Sequence, residues 1–335
     1  MEVIVFVIAF LLDLISGDPP EKVDRYYPIV WISRLMYFFD RRTARGNPLK
    51  ERVLGIIYTV IILILFSVPC FMITLIPSEI VRIIVEAFVL KMTFTVKGIE
   101  RFATAVLHAE SDEEKRKAVQ KIVSRDVSSL DNAHLNSATI ESTAENLTDS
   151  VVAPILYFMA FSTLGVGVFG AMVYRVINTL DAVVGYKTER YKNLGWFAAK
   201  TDDLLNFIPE HISAALILLS GRLLRTPSHS ATPSHSASGN HAVPSHSSCG
   251  PSHSSCGGTS HMATEQLAPP TISAMSRVLC VKLEKKGHYI VGCKYKMPAD
   301  FHIKEAVKIV KTASLVFAAM SVCSVLPFLA LKFYI

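Results

Sequence analysis

The sequence predicts an all-α fold, a polytopic membrane helix bundle with about five transmembrane spans and cytoplasmic polar loops. Apolar residues make up 51% of the chain and the mean hydropathy is +0.38. Charged residues make up 19%, below the roughly 25% of an ordinary soluble protein. Residues 53–76 and 312–331 each run for the thickness of a bilayer without a charged side chain.

Three further segments are candidate spans with weaker signals. Residues 151–173 carry no charge but contain three glycines, so they form either one span or a broken, re-entrant hairpin. Residues 1–16 are short and contain Asp13. In residues 204–224 the apolar run is interrupted by a Glu-His pair. The N-terminal segment lacks a basic region and a cleavage site, which favours a retained first membrane segment over a signal peptide.

Two other regions are predicted to lie outside the spans. Residues 79–99 carry several charged side chains, among them Arg82, Glu86, Lys91 and Lys97, and predict an amphipathic helix against the bundle. Residues 226–267 repeat Pro-Ser-His-Ser four times and contain almost no apolar side chain, which predicts a disordered loop. Its histidines and cysteines suggest metal capture, but a solvated repeat is the better interpretation because the spacing suits no coordination geometry. This divides the chain into a membrane bundle (1–225), the repeat loop (226–267) and a C-terminal segment with the last span (268–335).

Charge and missing motifs exclude several functions. The net charge of +6 is spread over many loops, which suits a membrane surface or an anionic substrate and not a nucleic acid. The basic loop 17–52 is the best cytoplasmic candidate. The sequence has no CxxC pair, no GxxxxGK[ST] loop, no HExxH and no GxSxG.

The densest polar cluster is residues 124–150. Glu141, Glu145 and Asp149 fall at i, i+4 and i+8, on one helix face spread over roughly 80°. Three carboxylates on one face repel each other unless a cation compensates, and oxygen ligands suit Mg²⁺. The alternative is an ordinary solvated acidic stripe, but the helix continues directly into an apolar segment, which favours a metal site.

Other side chains of this cluster suit substrate binding. Arg125 is a candidate clamp for phosphate or carboxylate, and Asp126 and Asn146 can hydrogen-bond a polar ligand. Asp131 or Asn132 is expected to cap the next helix.

Another polar cluster lies in residues 174–206. Asn178 and Asp181 are spaced i, i+3, and Asp202 and Asp203 stand where an apolar run begins. Ionisable groups at the end of a span mark a functional site by default, although the last two are equally compatible with helix N-terminal charges. On the intervening loop, two cations suit anionic substrate groups: Lys187 and Arg190.

These clusters carry a family resemblance. The segments SRDVSSLD, SATIESTAENLTDSVVAP, YRVINTLDAVVGYKTERY and AAKTDDLLNFIP resemble the adenosylcobinamide-phosphate synthases of cobalamin biosynthesis, the CobD/CbiB family. DLISGDPP, PIVWISRLM and KLEKKGHYIVG match its opening and C-terminal patterns. One departure is Ala-Pro-Pro-Thr at 268–271, where family members usually have a Pro-Asn-x-Gly turn.

The resemblance implies an ATP-dependent amide ligase at the cell membrane, with its site on the cytoplasmic face. The enzyme would join adenosylcobyric acid to (R)-1-aminopropan-2-ol O-phosphate or aminopropanol, with ATP as co-substrate and Mg²⁺ as cofactor. The expected partners are the lipid bilayer, these substrates and other late cobalamin-assembly membrane enzymes.

Residue chemistry then suggests roles within that reaction. Mg²⁺ is expected near Glu141, Glu145 and Asp149, with Glu145 also a catalytic candidate. Arg125, Lys187 or Arg190 would neutralise phosphate charge, and Asp181, Asp202 or Asp203 would accept a proton from the attacking ammonium. Two alternatives are an ion-coupled transporter, which predicts charges in mid-span, and a non-catalytic membrane regulator of the same superfamily.

Overall fold

The computed structural model describes residues 1–17, 26–224 and 268–334, with side chains to residue 323. The repeat at 226–267 and the DPP of the opening motif lie outside the described residues. The first part contains α1 (Glu2–Ser16), α2 (Pro28–Arg42), α3 (Pro48–Met72), α4 (Glu79–Lys91), α5 (Lys97–Leu107), α6 (Asp112–Gln120) and α7 (Asn132–Leu147). The second contains α8 (Ala153–Ser162), α9 (Gly167–Val184), α10 (Trp196–Leu224), α11 (Pro270–Leu279), β1 (Leu283–Lys285), β2 (Tyr289–Val291) and α12 (Asp300–Tyr334).

This architecture confirms the all-α membrane bundle. Four helices in the described part of the chain are long and apolar enough to cross a membrane: Pro48–Leu75, Gly167–Val184, Trp196–Leu224 and Asp300–Cys323. The only strands there form a short antiparallel hairpin, β1 with β2, which the sequence did not predict.

The second and third of the weaker candidate spans differ from each other in the structure. Residues 204–224 belong to the long helix α10, whereas residues 1–16 form a 15-residue helix, α1, that is shorter than a span. Residues 151–173 are not one span, because the chain turns at 163–166 and α8 and α9 form a hairpin. Among the described residues, the polar stretches 26–52 and 100–150 are largely helical, since they contain α2 and α5 to α7.

Helix α9 lies at the centre of the bundle and α3 at its edge. Of the 18 residues in the most apolar stretch of each helix, 67% are buried in α9 and 22% in α3. The exposed side of α3 carries large apolar side chains such as Ile57, Ile64 and Leu65. Such a surface is costly in water and favourable in lipid, so α3 presents a lipid-facing stripe while α9 packs against α2, α3, α8 and α10.

A buried ion pair joins α1 to the turn between α4 and α5. The Asp13 carboxylate is fully buried and lies 3.3 Å from the Lys91 ammonium. Its other oxygen accepts hydrogen bonds from the backbone N–H groups of Val96 and Lys97, at 2.8 and 3.2 Å. These N–H groups begin α5, so Asp13 acts as a long-range cap that fixes where α5 starts.

Two prolines free carbonyls that other elements use. Pro209 inside α10 has no N–H to donate to the Leu205 carbonyl, which instead accepts the Tyr157 hydroxyl at 3.0 Å. Pro154 at the start of α8 likewise leaves the Ser150 carbonyl open, and the Thr95 N–H donates to it at 2.8 Å. Each proline therefore creates a polar tie between helices.

Gly55 tests the packing of α3 against the loop that follows α9. A Cβ at Gly55 would overlap the Leu194 carbonyl oxygen. We expect Gly55→Ala to lower the free energy of unfolding by about 1–3 kcal/mol, because the neighbour is rigid backbone. Thermal unfolding in lipid nanodiscs measures the effect. The control is Val60→Ala, because Val60 is 41% exposed on the outward face of the same helix. If both variants unfolded at the same temperature as the parent, the close approach at Gly55 would be contradicted.

Candidate functional site

Three carboxylates from different elements lie at one end of the bundle. Asp149 sits in a π turn, Thr148–Val152, between α7 and α8. Asp181 is in the last turn of α9 and Asp202 in the second turn of α10. Because α8 and α9 are antiparallel and the loop 185–195 is short, the start of α8, the end of α9 and the start of α10 meet.

The π turn is a local consequence of sequence. Pro154 cannot donate to the Ser150 carbonyl, so the regular helical ladder is interrupted at this point. The turn rotates α8 relative to α7, and such turns are frequent at functional sites. It places Asp149 and the Ser150 hydroxyl toward α9 and α10, where the hydroxyl donates to Asn146 at 3.2 Å.

The amide of Asn206 bridges two of the carboxylates. Its Nδ2 donates to Asp202 at 2.9 Å and to Asp149 at 3.3 Å. Its oxygen accepts the hydroxyl of the fully buried Tyr174 at 2.9 Å. Both N–H donors of the amide and one side of its oxygen are thereby used, which fixes its orientation and holds the carboxylates of α10 and the π turn together.

Asn178 and Arg175 complete the network from α9. Asn178 donates to Asp202 at 3.4 Å and accepts from the Arg175 guanidinium at 3.3 Å. The same guanidinium donates to the Asp149 backbone carbonyl at 3.3 Å. The only cation of α9 therefore supplies positive charge directly beside these acids.

Burial dominates the titration of the acids next to this network. It raises the pKa of Asp149 to about 7, with the negative charge of Glu145 adding to the effect and Arg175 opposing it. Burial also raises the pKa of Glu145 to about 7, where the Lys285 charge opposes the shift and Glu141 adds to it. Carboxyls with pKa values near neutrality suit proton transfer or cation binding.

A cavity of about 290 Å³ opens onto these groups. Its polar lining comprises Ser33, Asn146, Asp149, Ser150, Arg175, Asn178, Thr179 and Asp181. The predicted site residues Asn146, Asn178, Asp149 and Asp181 thus share one cavity, and Asp202 lies directly behind Asn178. The structure brings together residues that the sequence placed in two separate clusters.

The predicted face of three acids is divided. Glu141 is turned away from the cavity and accepts hydrogen bonds from Ser137 at 2.7 Å, Arg125 at 3.0 Å and Tyr289 at 3.2 Å. Burial raises the pKa of Tyr289, which keeps this hydroxyl a donor. Since its carboxylate is fully occupied, Glu141 joins the 124–131 loop and the β-hairpin to α7, and Arg125 is engaged there as well.

Among the described residues, no three His, Cys, Asp or Glu side chains converge to hold one ion. Mg²⁺ commonly binds through only one or two carboxylates and completes its shell with water and substrate phosphate. Asp149 and Glu145 fit that pattern, because both are carboxylates that can ligate a cation. The negative charge of Glu145 raises the pKa of Asp149, and a bound cation would relieve this repulsion. Metal binding at this pair stays a prediction.

Four other predicted residues lie away from the cavity. Asp203 points outward, with a side chain 68% exposed and paired to Lys200 at 2.9 Å, whereas its neighbour Asp202 is 8% exposed. Neither is in the first turn of α10, so they are not helix N-terminal charges. Arg190 pairs with the buried Asp40 at 2.5 Å, and Lys187 is exposed. Asp126 is also exposed and accepts hydrogen bonds from the N–H and the hydroxyl of Ser128.

The Ser128 N–H holds the pKa of Asp126 below its usual value, so that carboxylate stabilises its own turn. Asp131 is the predicted cap of α7 and accepts from the His134 N–H at 2.9 Å. Arg175, Tyr174 and Tyr289 were missed as site or positioning residues. Only Arg175 had a usable signal, because it is the one cation in a largely apolar segment.

The role of Glu141 can be tested by Glu141→Gln. We expect a loss of about 1–3 kcal/mol in the free energy of unfolding, because the Arg125 guanidinium loses its charged partner, and no change in any Mg²⁺ affinity. Glu113→Gln is the control, since it removes the carboxylate of an exposed pair with Lys117. Thermal unfolding with and without Mg²⁺ measures both effects. Unchanged stability together with lost Mg²⁺ response would make Glu141 a ligand instead.

The site belongs to a chain with many relatives. The chain is 31% identical over 330 residues to a probable cobalamin biosynthesis protein CobD from Methanothermobacter thermautotrophicus, and the alignment covers 97% of this chain and 99% of that one. It is 42% identical over 221 residues to the corresponding protein of Thermococcus kodakarensis, covering 65% and 71%. A cobalamin biosynthesis protein CobD from Dehalococcoides mccartyi is 37% identical over 227 residues, covering 66% and 71%.

No solved structure matches the chain. Residues 6–316, nearly the whole sequence, match the model of a protein family described as CobD/Cbib protein. This extent includes the π turn, both network asparagines and the β-hairpin, so the described site lies inside the shared region. The chain belongs to the CobD/CbiB family of cobalamin biosynthesis proteins.

Proposed function

We propose that the chain is an adenosylcobinamide-phosphate synthase, a carbon–nitrogen ligase that forms an amide at the expense of ATP. The acid substrate is a propionate side chain of adenosylcobyric acid, and the amine is (R)-1-aminopropan-2-ol O-phosphate or aminopropanol. Family membership supports the pathway. The observation that carries the reaction type is the hydrogen-bonded set Asp149, Asp202, Asn178 and Asn206 beside the Arg175 guanidinium.

The reaction makes three chemical demands. The propionate oxygen attacks the γ-phosphorus of ATP, which gives an acyl phosphate and ADP. The amine nitrogen then attacks the acyl carbon, the C–O bond to phosphate breaks, and inorganic phosphate leaves. The ammonium must lose its proton before attack, and the phosphoryl oxygens need positive charge beside them.

The network offers a group for each demand. Asp202 is the proposed base, since it is buried, oriented by two amide donors and close to the cavity that Asp181 lines. Arg175 is the proposed phosphate neutraliser, a role that the sequence assigned to Arg125, Lys187 or Arg190. Asp149 and Glu145 would hold Mg²⁺, which when bound shields phosphate charge and polarises the phosphoryl group.

The arrangement favours an enzyme in the cell membrane with its site facing the cytoplasm. The carboxylates lie at span ends, in the last turn of α9 and the second turn of α10, where ATP and a large corrinoid can reach them. An ion-coupled transporter would need such groups in mid-span. A non-catalytic regulator would not need a fully hydrogen-bonded set of acids around a cavity.

The adjacent pair Asp202 and Asp203 gives a matched test. We expect Asp202→Asn to lower kcat about 10²–10⁴-fold, because the base is lost while its shape is kept. Asp203→Asn should stay within about threefold of the parent, since its carboxylate pairs with Lys200 on the surface. Amide formation by purified protein in nanodiscs measures this, alongside growth of a strain blocked at cobinamide formation.

Three outcomes would contradict the assignment. Equal loss in both variants would remove Asp202 from its special role, and normal turnover by Asp202→Asn would remove the base altogether. Absence of amide formation and of growth with the parent chain would favour the regulator. Thermal unfolding of each variant checks that the fold survives, and Mg²⁺ titration of the same samples reports on the metal independently of turnover.

A further inference from the structure

A second, larger cavity of about 410 Å³ adjoins the acid-lined one. The two share Ile29, Asn146, Ser150 and Arg175 in their linings. They are therefore two compartments of one groove, which meet at the Arg175 guanidinium. The larger compartment has no part in the roles assigned above.

The compartments differ in charge. The charged residues among the described lining of the larger cavity are all cations: Arg101, Lys121 and Arg175. The smaller cavity is lined by Asp149 and Asp181, with Arg175 at the border. The groove is thus polarised along its length, from a cationic end to an anionic end. Charge complementarity selects a ligand with the reverse polarity.

The cationic side chains come from separate elements that are tied to the acid network. Arg101 lies in the second turn of α5, whose start is fixed by the Asp13 cap. Lys121 directly follows α6, and the next residue, Ile122, is held by the Ser142 hydroxyl of α7 at 2.8 Å. Hydrogen bonds therefore fix both backbone segments, and the bond from the Thr95 N–H to the Ser150 carbonyl ties the start of α5 to the π turn.

The remaining wall is largely apolar, with Val30, Ile99 and Phe102 among its residues. Apolar walls lower the local dielectric and strengthen the attraction between a bound anion and the cations. A phosphate-bearing ligand satisfies both features, since the charge meets Arg101 and Lys121 and the carbon skeleton meets the wall.

We propose that Arg101 and Lys121 form a phosphate-binding subsite for a substrate of the ligation, next to the carboxylates that receive its reacting end. This inference rests on the proposed function and deepens it. The phosphate belongs either to the amine, whose ammonium would reach the acidic compartment, or to ATP. Both present a phosphate oxyanion to the same side chains, and kinetics separates them.

The test uses Arg101→Gln, Lys121→Gln and the double variant of the full chain in nanodiscs. Exposed cations outside the groove supply matched controls with the same loss of charge, Arg41→Gln and Lys117→Gln. The KM is measured separately for ATP, for aminopropanol phosphate and for aminopropanol. Calorimetric titration with ATP and with aminopropanol phosphate gives Kd without turnover.

Each single variant should raise one KM and the matching Kd about tenfold, and the double variant more, with kcat within about threefold. A rise for aminopropanol phosphate but not for aminopropanol or ATP assigns the amine. A rise for ATP alone assigns the nucleotide. KM and Kd values within twofold of the controls for every substrate would overturn the subsite. A parent without turnover would refute the ligase, whereas Kd would still decide the subsite.

Discussion

The bundle depends on placing several carboxylates where water is scarce, and one amide makes that arrangement stable. Asn206 donates to Asp149 and Asp202 at once, while Tyr174 fixes its other end. Buried carboxylates are costly without donors. The donors here come from α9 and α10, so the site cannot form until these helices pack. Prolines that interrupt the helical ladders supply two further ties, one from α8 to α10 and one from the segment before α5 to the π turn.

The cost of that burial is useful for chemistry. Glu145 and Asp149 have pKa values raised to about 7 by burial, so near neutral pH they can gain or lose a proton or exchange it for a cation. Arg175 limits the accumulated negative charge and borders both compartments of the groove. A ligase that must handle a carboxylate, an ammonium and phosphates needs such opposite charges at close range.

Much of this was predictable from sequence, and the failures have identifiable causes. Uncharged runs gave the bundle, and polar residues at span ends gave Asp149, Asp181 and Asn178. Helical periodicity grouped Glu141 with Glu145 because it cannot show that a distant hairpin brings Tyr289 onto that face. Periodicity also cannot distinguish neighbours such as Asp202 and Asp203, because the directions of their side chains depend on tertiary packing. The glycine-containing apolar run 151–173 was compatible with either one span or a hairpin.

Transfer of oxygen from the acid substrate to phosphate tests the central claim most directly. Adenosylcobyric acid labelled with ¹⁸O in its reacting carboxylate would be incubated with ATP, Mg²⁺, amine and the full chain, and the products weighed by mass spectrometry. Ligation through an acyl phosphate predicts one ¹⁸O in the inorganic phosphate released with each amide. Label in AMP, or amide formation with unlabelled phosphate, would contradict the account.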